Sequence, residues 1–297
     1  MMMVGERTKA AMKIYKTTER RQCRPTKNLS WPTKKEKQTL MNKFFGYILT
    51  PVFYLFFGLF LLIFHPVQWF CLKVFGYSAH KKSVDILNFF LTYCQLFLGS
   101  SVKFTNRNNI PTGRPVIFVA NHQSMYDIPT LIWYLRAYHA KFISKIELTK
   151  GIPSISFNLK HGGGANIIRE NKKQAIVELH KLGKRMLEKN WSTVLFPEGT
   201  RSKNGLIKPF QVGGMSTLLK TIPGVLVVPI AIENSWKLVQ YGGFPLSAGE
   251  KLRWTVLEPI ETEGQSVEEI CLRAENAIRK FMGQEPGTLF ESAKPKA

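Results

Sequence analysis

Aspartate is nearly absent from this chain of 297 residues, since Asp85 and Asp127 stand against eighteen glutamates. Cysteine is also scarce, and the four thiols, at positions 23, 71, 94 and 271, have neither CxxC nor metal-ligand spacing. Such spacing predicts free thiols in a reducing compartment and argues against disulfides and zinc. We therefore expect no metal site and no cofactor.

Acidic residues as a whole are outnumbered, because 42 Lys and Arg face 20 Asp and Glu, for a net charge of +22. This excess predicts an anionic partner, either nucleic acid, lipid headgroups or phosphorylated small molecules. Nucleic acid is disfavoured, since the chain shows no zinc-finger or other nucleic-acid signature. A basic, membrane-tethered binding protein is the alternative to an enzyme.

Charge is missing altogether from residues 44–72, a run longer than the roughly 20 residues that span a bilayer. We predict a membrane-associated helical region at 44–105, preceded by a flexible basic arm at 1–43 with twelve basic and three acidic residues. The arm is too long for a cleaved signal peptide. A second apolar stretch, 83–102, predicts a helix that covers a sheet or lies in the membrane interface.

Short apolar runs alternate with helical patterns after residue 105, which predicts an α/β domain at 106–283 with a mostly parallel sheet flanked by helices. A helix is expected around 175–187, and the capping box of Ser266 and Glu269 predicts a last one. Residues 284–297 are expected to be a flexible tail. The expected strands are 116–120, 141–144, 166–168, 193–196, 225–232 and 252–257.

Polar residues follow the first of these strands, where α/β sheets build their sites. His122 is a candidate base and Asp127 a candidate partner that fixes the imidazole tautomer. Residues five apart lie about 140° from each other on a regular helix, so a turn must join them. The spacing alone also fits a capping Asp beside a surface His.

A second polar cluster, 198–202, follows the strand expected at 193–196. Gly199 allows close backbone approach, Thr200 supplies a hydroxyl, and Arg201 offers a planar fork for a phosphate. The alternative is an ordinary surface loop that contains an arginine.

The two clusters together resemble the glycerolipid acyltransferase family, over roughly residues 115–234. The pattern is Asn121-His-x-Ser-x-x-Asp127, followed about seventy residues later by Phe196-Pro-Glu-Gly-Thr-Arg-Ser202. The resemblance implies that His122 is the catalytic base and Asp127 its partner. The residues that it assigns to the substrate phosphate are Arg169, Glu198, Gly199, Thr200 and Arg201, and those that it assigns to the site wall are Asn121, Ser124 and Pro229.

The implied reaction moves an acyl group from acyl-CoA or acyl carrier protein to the sn-2 hydroxyl of 1-acyl-sn-glycerol-3-phosphate, giving phosphatidic acid for phospholipid biosynthesis. Two positions depart from the family pattern: Asn166 replaces a phenylalanine, and Gln211 replaces the lysine of Phe-Lys-x-Gly. These departures leave other acceptors open, namely another lysophospholipid, glycerol-3-phosphate or a lyso-aminolipid.

The resemblance also implies a location, because these acyl donors are cytosolic. We expect membrane lipids as partners and the catalytic domain on the cytosolic face, which is that of the inner membrane if the chain is bacterial. The basic arm favours the same side. Pro51 and a break at His65-Pro66 then predict a re-entrant pair, 42–64 with 83–102, and a single span is the alternative.

Overall fold

The computed structural model describes residues 33–288. The helices are α1 (Lys34–Phe75), α2 (Tyr77–Tyr93), α3 (Asp127–Tyr134), α4 (Ile155–His161), α5 (Lys172–Lys189), α6 (Val212–Thr221), α7 (Ser235–Leu238) and α8 (Val267–Phe281). The strands are β1 (Ser101–Thr105), β2 (Val116–Ala120), β3 (Lys141–Lys145), β4 (Ala165–Ile167), β5 (Thr193–Leu195), β6 (Leu226–Glu233) and β7 (Lys251–Val256). Short 3-10 turns lie at Cys94–Leu98, Arg136–Tyr138 and Ile146–Thr149.

Within residues 33–288, seven strands form one sheet in the order β1-β7-β6-β2-β5-β3-β4. The β6 and β7 pair is antiparallel and the other neighbours are parallel. The predicted α/β class with a mostly parallel sheet is thus confirmed, and each of the six expected strands lies within one residue of an observed one.

The first strand, β1, was not expected, because the helix predicted for 83–102 ends earlier. Gly99 adopts a left-handed conformation with φ 65° and closes the helical run after α2 and its 3-10 turn. Ser101 then pairs with Lys251 at the start of a parallel ladder. The sheet therefore begins before the predicted domain boundary at residue 106.

Buried side chains lie on both faces of the sheet, and β2 contributes residues to both hydrophobic clusters. Ile117 and Val119 pack into the cluster that α5, α6 and α8 cover. Phe118 and Ala120 pack into the opposite cluster, which includes Phe53 from α1 and residues of α3. This double burial is typical of a strand in the middle of a parallel sheet and brings its end into the centre of the fold.

The N-terminal helix α1 is continuous over 42 residues and contains both Pro51 and Pro66, so the predicted break at His65-Pro66 is wrong. Each proline removes one backbone N–H donor, which destabilises a helix. Contacts between one side of α1 and the rest of the domain offset this loss of stability. Gly46 lies so close to Leu246 that an added Cβ would collide with its carbonyl oxygen. The chain reverses at Gly76, with φ 81°, instead of near residue 65.

Most of α1 is apolar on its outer side as well. The most apolar 18-residue window within residues 37–75 has a mean hydropathy of 2.3, and 17% of that window is buried. By length and composition this helix can cross a membrane.

The predicted arm and tail fall largely outside the described residues. Residues 1–32 and 289–297 lie outside them, and the end of the arm is helical from Lys34 onward. The first tail residues are packed: the Gln284 amide oxygen accepts a hydrogen bond from the Ile207 N–H at 2.9 Å, and the Gly287 N–H donates to the Asn276 amide oxygen at 2.7 Å. The flexible tail predicted to begin at 284 therefore starts with residues that contact the domain.

Candidate active site

His122 and Asp127 meet in the loop between β2 and α3, at the carboxyl end of the central strand. The imidazole Nδ1 lies 2.9 Å from the Asp127 Oδ2, and both residues are buried. The same oxygen accepts the backbone N–H groups of Gln123, at 2.8 Å, and Ser124, at 2.9 Å. A tight loop followed by the first turn of α3 thus joins the pair, as the five-residue spacing requires.

The second carboxylate oxygen of Asp127 is also held. Oδ1 accepts hydrogen bonds from the hydroxyls of Ser124 and Ser235. Ser235 begins α7, is fully buried, and was not among the predicted residues. Within residues 33–288, no Lys or Arg forms an ion pair with Asp127, so N–H and O–H donors stabilise its charge.

The His122 ring stacks on Phe196, the residue that follows β5. Their centroids lie 4.2 Å apart with an interplanar angle of 21°. Because Nδ1 faces Asp127, Nε2 is the ring nitrogen left for a substrate proton. The His122 side chain is 11% exposed, so part of it is accessible from solvent.

Glu198 links the two sequence clusters from inside the protein. Its Oε1 accepts the His122 N–H at 2.7 Å, and its Oε2 accepts the Lys208 N–H at 3.1 Å. The Ser202 N–H donates to the His122 carbonyl at 2.7 Å, which closes a second tie. Burial raises the pKa of Glu198 to about 7, against the opposing effect of the two N–H donors. Both carboxylate oxygens of this predicted phosphate contact thus accept hydrogen bonds from backbone N–H groups.

Gly199, Thr200 and Arg201 form the turn that follows. Gly199 has φ 66°, which favours glycine, and its N–H donates to the Phe196 carbonyl at 3.1 Å. Thr200 and Arg201 are exposed. The Lys208 Nζ donates to the Thr200 hydroxyl at 2.9 Å and to the Arg201 carbonyl at 3.0 Å, so a lysine that the sequence did not single out braces this loop.

Arg169 lies farther from His122 than the sequence suggested. It follows β4, the edge strand, which is three strands from β2 and so roughly 14 Å away at about 4.8 Å per strand. Lys145 ends β3, between them, and both cations are exposed. We call the exposed cations that follow β5, β3 and β4, namely Arg201, Lys145 and Arg169, the positive row; the exposed acids Glu147 and Glu170 lie next to it in the sequence.

The three residues predicted for the site wall are buried within the fold. The Asn121 amide joins β2 to β6, donating to the Ile232 carbonyl at 2.9 Å and accepting its N–H at 2.7 Å. The Ser124 hydroxyl accepts the Tyr126 N–H at 3.1 Å. Pro229 is a buried residue of β6, in register with Val119.

No group of three or more His, Cys, Asp or Glu that could hold a metal ion occurs among the described residues. A cleft of about 450 Å³ lies between His65 of α1 and residues 149–161. It contains none of the predicted residues, and the His122 to Asp127 contact lies outside it.

A family model described as Acyltransferase matches residues 101–233, the segment from β1 to the end of β6. By this match, residues 101–233 are similar to the acyltransferase family. The acyltransferase segment thus contains both sequence clusters, and its first matched residue is the first residue of β1.

Relatives with known names agree with this assignment. A chloroplast 1-acyl-sn-glycerol-3-phosphate acyltransferase from Brassica napus is 33% identical over 175 residues, which cover 59% of this chain and 48% of the relative. A 1-acyl-sn-glycerol-3-phosphate acyltransferase from Helicobacter pylori is 39% identical over 157 residues, which cover 50% of this chain and 63% of the relative. The chain thus spans about half the length of the curated relatives that it matches first.

A solved structure resembles the whole fold. The crystal structure of the 1-acyl-sn-glycerophosphate acyltransferase PlsC from Thermotoga maritima superposes with a TM-score of 0.66 at 26% identity. The match covers 82% of this chain and 97% of that one, so it extends beyond the family segment.

Proposed function

We propose that this acyltransferase esterifies the sn-2 hydroxyl of 1-acyl-sn-glycerol-3-phosphate with an acyl group from a thioester and so forms phosphatidic acid. The observation that carries the proposal is the buried His122 and Asp127 pair, tied through Glu198 to the loop of Arg201. A base beside a phosphate-binding loop is what an acceptor with a hydroxyl and a phosphate requires. The names of the relatives support the same substrate class.

The geometry suggests the proton path. With Nδ1–H donated to Asp127, the His122 Nε2 takes the proton of the acceptor hydroxyl as its oxygen attacks the thioester carbonyl. Asp127 stabilises the imidazolium that forms. Collapse of the tetrahedral intermediate breaks the carbon–sulfur bond, and the leaving thiolate takes the proton back from Nε2. The ester is formed, the thiol is released, and the enzyme is unchanged.

Exposed cations provide the acceptor site. Arg201 lies in the loop tied to His122, so it is placed to form charged hydrogen bonds with the phosphate of the lysolipid. Lys145 and Arg169 extend the positive row toward the sheet edge. An anionic headgroup is therefore favoured over a choline or ethanolamine headgroup.

The position of α1 favours a membrane-bound enzyme. Thr50 accepts the Leu246 N–H at 2.9 Å, and the Ser154 N–H donates to the His65 Nδ1 at 3.1 Å. These contacts lie fifteen residues apart, or about 22 Å along the helix, which is most of a hydrocarbon core of about 30 Å. A helix that lies along its domain over this length fits shallow insertion better than a full crossing. We place the domain on the cytosolic face.

Cysteine labelling tests this orientation. Single cysteines at Thr8 and Lys203, in an otherwise cysteine-free protein, are exposed to a membrane-impermeant maleimide in intact cells. Shallow insertion predicts that both react only after lysis. Labelling of the Thr8 position alone before lysis would support the single span instead.

The reaction itself is tested with purified protein and a panel of lysolipids, each offered with acyl-CoA and with acyl carrier protein. The expected product is phosphatidic acid from lysophosphatidate with at least one donor, and none from the His122→Ala variant. Faster acylation of glycerol-3-phosphate, a lyso-aminolipid or a choline lysolipid would replace the acceptor. No acyl transfer with any pair would overturn the function.

A further inference from the structure

The lysine that braces the phosphate loop is not explained by the family pattern. That pattern places a lysine at position 211, where this chain has Gln211, and Lys208 precedes it by three residues. Both residues dock on the same segment, because the Lys208 N–H donates to the Glu198 Oε2 at 3.1 Å and the Gln211 N–H donates to the Pro197 carbonyl at 2.9 Å. The two positions are therefore neighbours of one loop.

The contacts of the Lys208 ammonium are specific. Its Nζ donates to the Thr200 hydroxyl at 2.9 Å and to the Arg201 carbonyl at 3.0 Å. Fixing the Arg201 carbonyl fixes the backbone from which the exposed guanidinium projects. These two bonds use two of the three N–H donors of an ammonium, and they hold its positive charge beside the loop.

We propose that Lys208 is a positioning residue that holds Thr200 and Arg201 for the acceptor phosphate and supplies the positive charge that the family pattern places at position 211. The inference rests on the proposed function, because it assigns Lys208 to the acceptor side of that reaction. It also resolves the Gln211 departure: the charge beside the loop is kept, and only its position in the sequence differs.

The test compares Lys208→Met, which keeps the length of the side chain without its charge, with Lys208→Arg, whose guanidinium can donate to both oxygens. Lys208→Met should raise the KM for lysophosphatidate about 10- to 100-fold, as for a lost charged hydrogen bond. The KM for the acyl donor and the melting temperature should stay at wild-type values. Lys208→Arg should recover most of the loss.

The matched control is Lys220→Met, which removes the same charge from an exposed position in the last turn of α6. It should leave both KM values unchanged. Equal changes in the two KM values for Lys208→Met, a fall in kcat with a lower melting temperature, or wild-type kinetics would each overturn the assignment, because a merely structural or idle lysine gives those results.

A binding measurement separates this proposal from the proposed function. The His122→Ala protein, with and without Lys208→Met, is titrated with phosphatidylcholine vesicles that contain lysophosphatidate or lysophosphatidylcholine. If Lys208 has the proposed role, the protein with Lys208→Met should lose its preference for vesicles that contain lysophosphatidate. This result is expected even if the active enzyme forms no phosphatidic acid, and that failure would overturn only the proposed reaction. An unchanged preference beside normal turnover would overturn only the role of Lys208.

Discussion

The two ends of the parallel sheet bury charge in opposite ways. At the carboxyl end, the carboxylates of Asp127 and Glu198 are fully buried and accept hydrogen bonds from backbone N–H groups and hydroxyls. At the amino end, the ammonium of Lys141 is 7% exposed, donates to the Tyr77 hydroxyl and lies 4.2 Å above the Trp191 ring. Burial lowers the pKa of Lys141 to about 7, with Lys81 as the next cause.

We infer from this difference that the carboxyl end of the sheet binds the substrate. Neutral donors satisfy the buried acids, so the cations of the carboxyl end, Arg201, Lys145 and Arg169, stay exposed and available to an anion. At the amino end the cation itself is buried, and its ammonium lies over the rings of Tyr77 and Trp191. Catalysis should therefore depend on the first end and be indifferent to the second.

The largest effect is expected at His122. His122→Ala removes the base and should lower kcat by about 10²–10⁴-fold. Asp127→Asn should also lower kcat strongly, because a neutral amide cannot stabilise the imidazolium and its NH2 group replaces the Oδ1 that accepts the Ser124 and Ser235 hydroxyls. Steady-state rates are measured on variants whose circular dichroism matches wild type. Retention of more than about a tenth of the rate by folded His122→Ala would contradict the assignment.

Glu198→Gln comes next, because an amide cannot accept both backbone N–H groups. One buried donor loses its partner at a cost of about 1–3 kcal/mol, so His122 shifts and kcat should fall roughly tenfold or more.

Glu198 should also make the stability of the fold depend on pH. The pKa of Glu198 is raised in the folded state, so the folded protein binds the extra proton and stability falls as pH rises from 4.5 to about 7.

Thermal unfolding at several pH values measures this slope, which should total roughly 3 kcal/mol and vanish in Glu198→Gln. Glu263→Gln, a change at an exposed position, is the control and should keep it. A wild-type slope in Glu198→Gln would mean that the carboxylate is not the group that titrates.

The arginines of the carboxyl end allow a finer comparison. Arg201→Ala should raise the KM for lysophosphatidate roughly ten- to a hundredfold with little effect on the donor. Arg169→Ala should have the smaller effect, because its strand is three places from β2. Full titrations of both substrates decide the order. A larger loss from Arg169, or equal changes for donor and acceptor, would assign these side chains to the donor or the fold.

The smallest effect on catalysis is expected at the amino end. Lys141→Met should leave kcat within about twofold of wild type and change only the pH dependence of stability. Because the pKa of Lys141 is lowered in the folded state, the unfolded chain binds more protons above pH 7, and stability rises with pH from about 7 toward 10.5. Melting temperatures at pH 7 and 9 should show a flatter rise in Lys141→Met than in wild type and Lys220→Met. A strong loss of turnover would remove the contrast between the two ends.

The sequence predicted the central sheet well for a physical reason. Strands such as Val116–Ala120 and Leu226–Glu233 are buried on both faces, so they appear as unbroken apolar runs. The edge strand Ser101–Thr105 alternates exposed and half-buried residues and directly follows an apolar helical run, which hides its start. The helix break at His65-Pro66 failed because α1 packs against the domain on both sides of Pro66.

The site divides in the same way. His122 and Asp127 lie five residues apart on one loop, so the spacing could indicate the pair, whereas Ser235 reaches Asp127 from 108 residues away. No local pattern marks such a contact. Glu198 was predicted as a phosphate contact from the family motif, and the structure adds hydrogen bonds from the His122 and Lys208 backbone N–H groups to its carboxylate, which no local pattern marks.

The ties between the two loops also bear on how this site can be exchanged with that of a relative. Glu198 and Ser202 bond the backbone on both sides of the His122 peptide, so the first loop takes its shape partly from the second. In a chimera that grafts only residues 121–127, the backbone of the relative would have to fit the hydrogen bonds of the native Glu198 and Ser202. The unit of transplantation is the pair of segments, 121–127 together with 196–208, and engineered acceptor specificity should transfer only when both are moved.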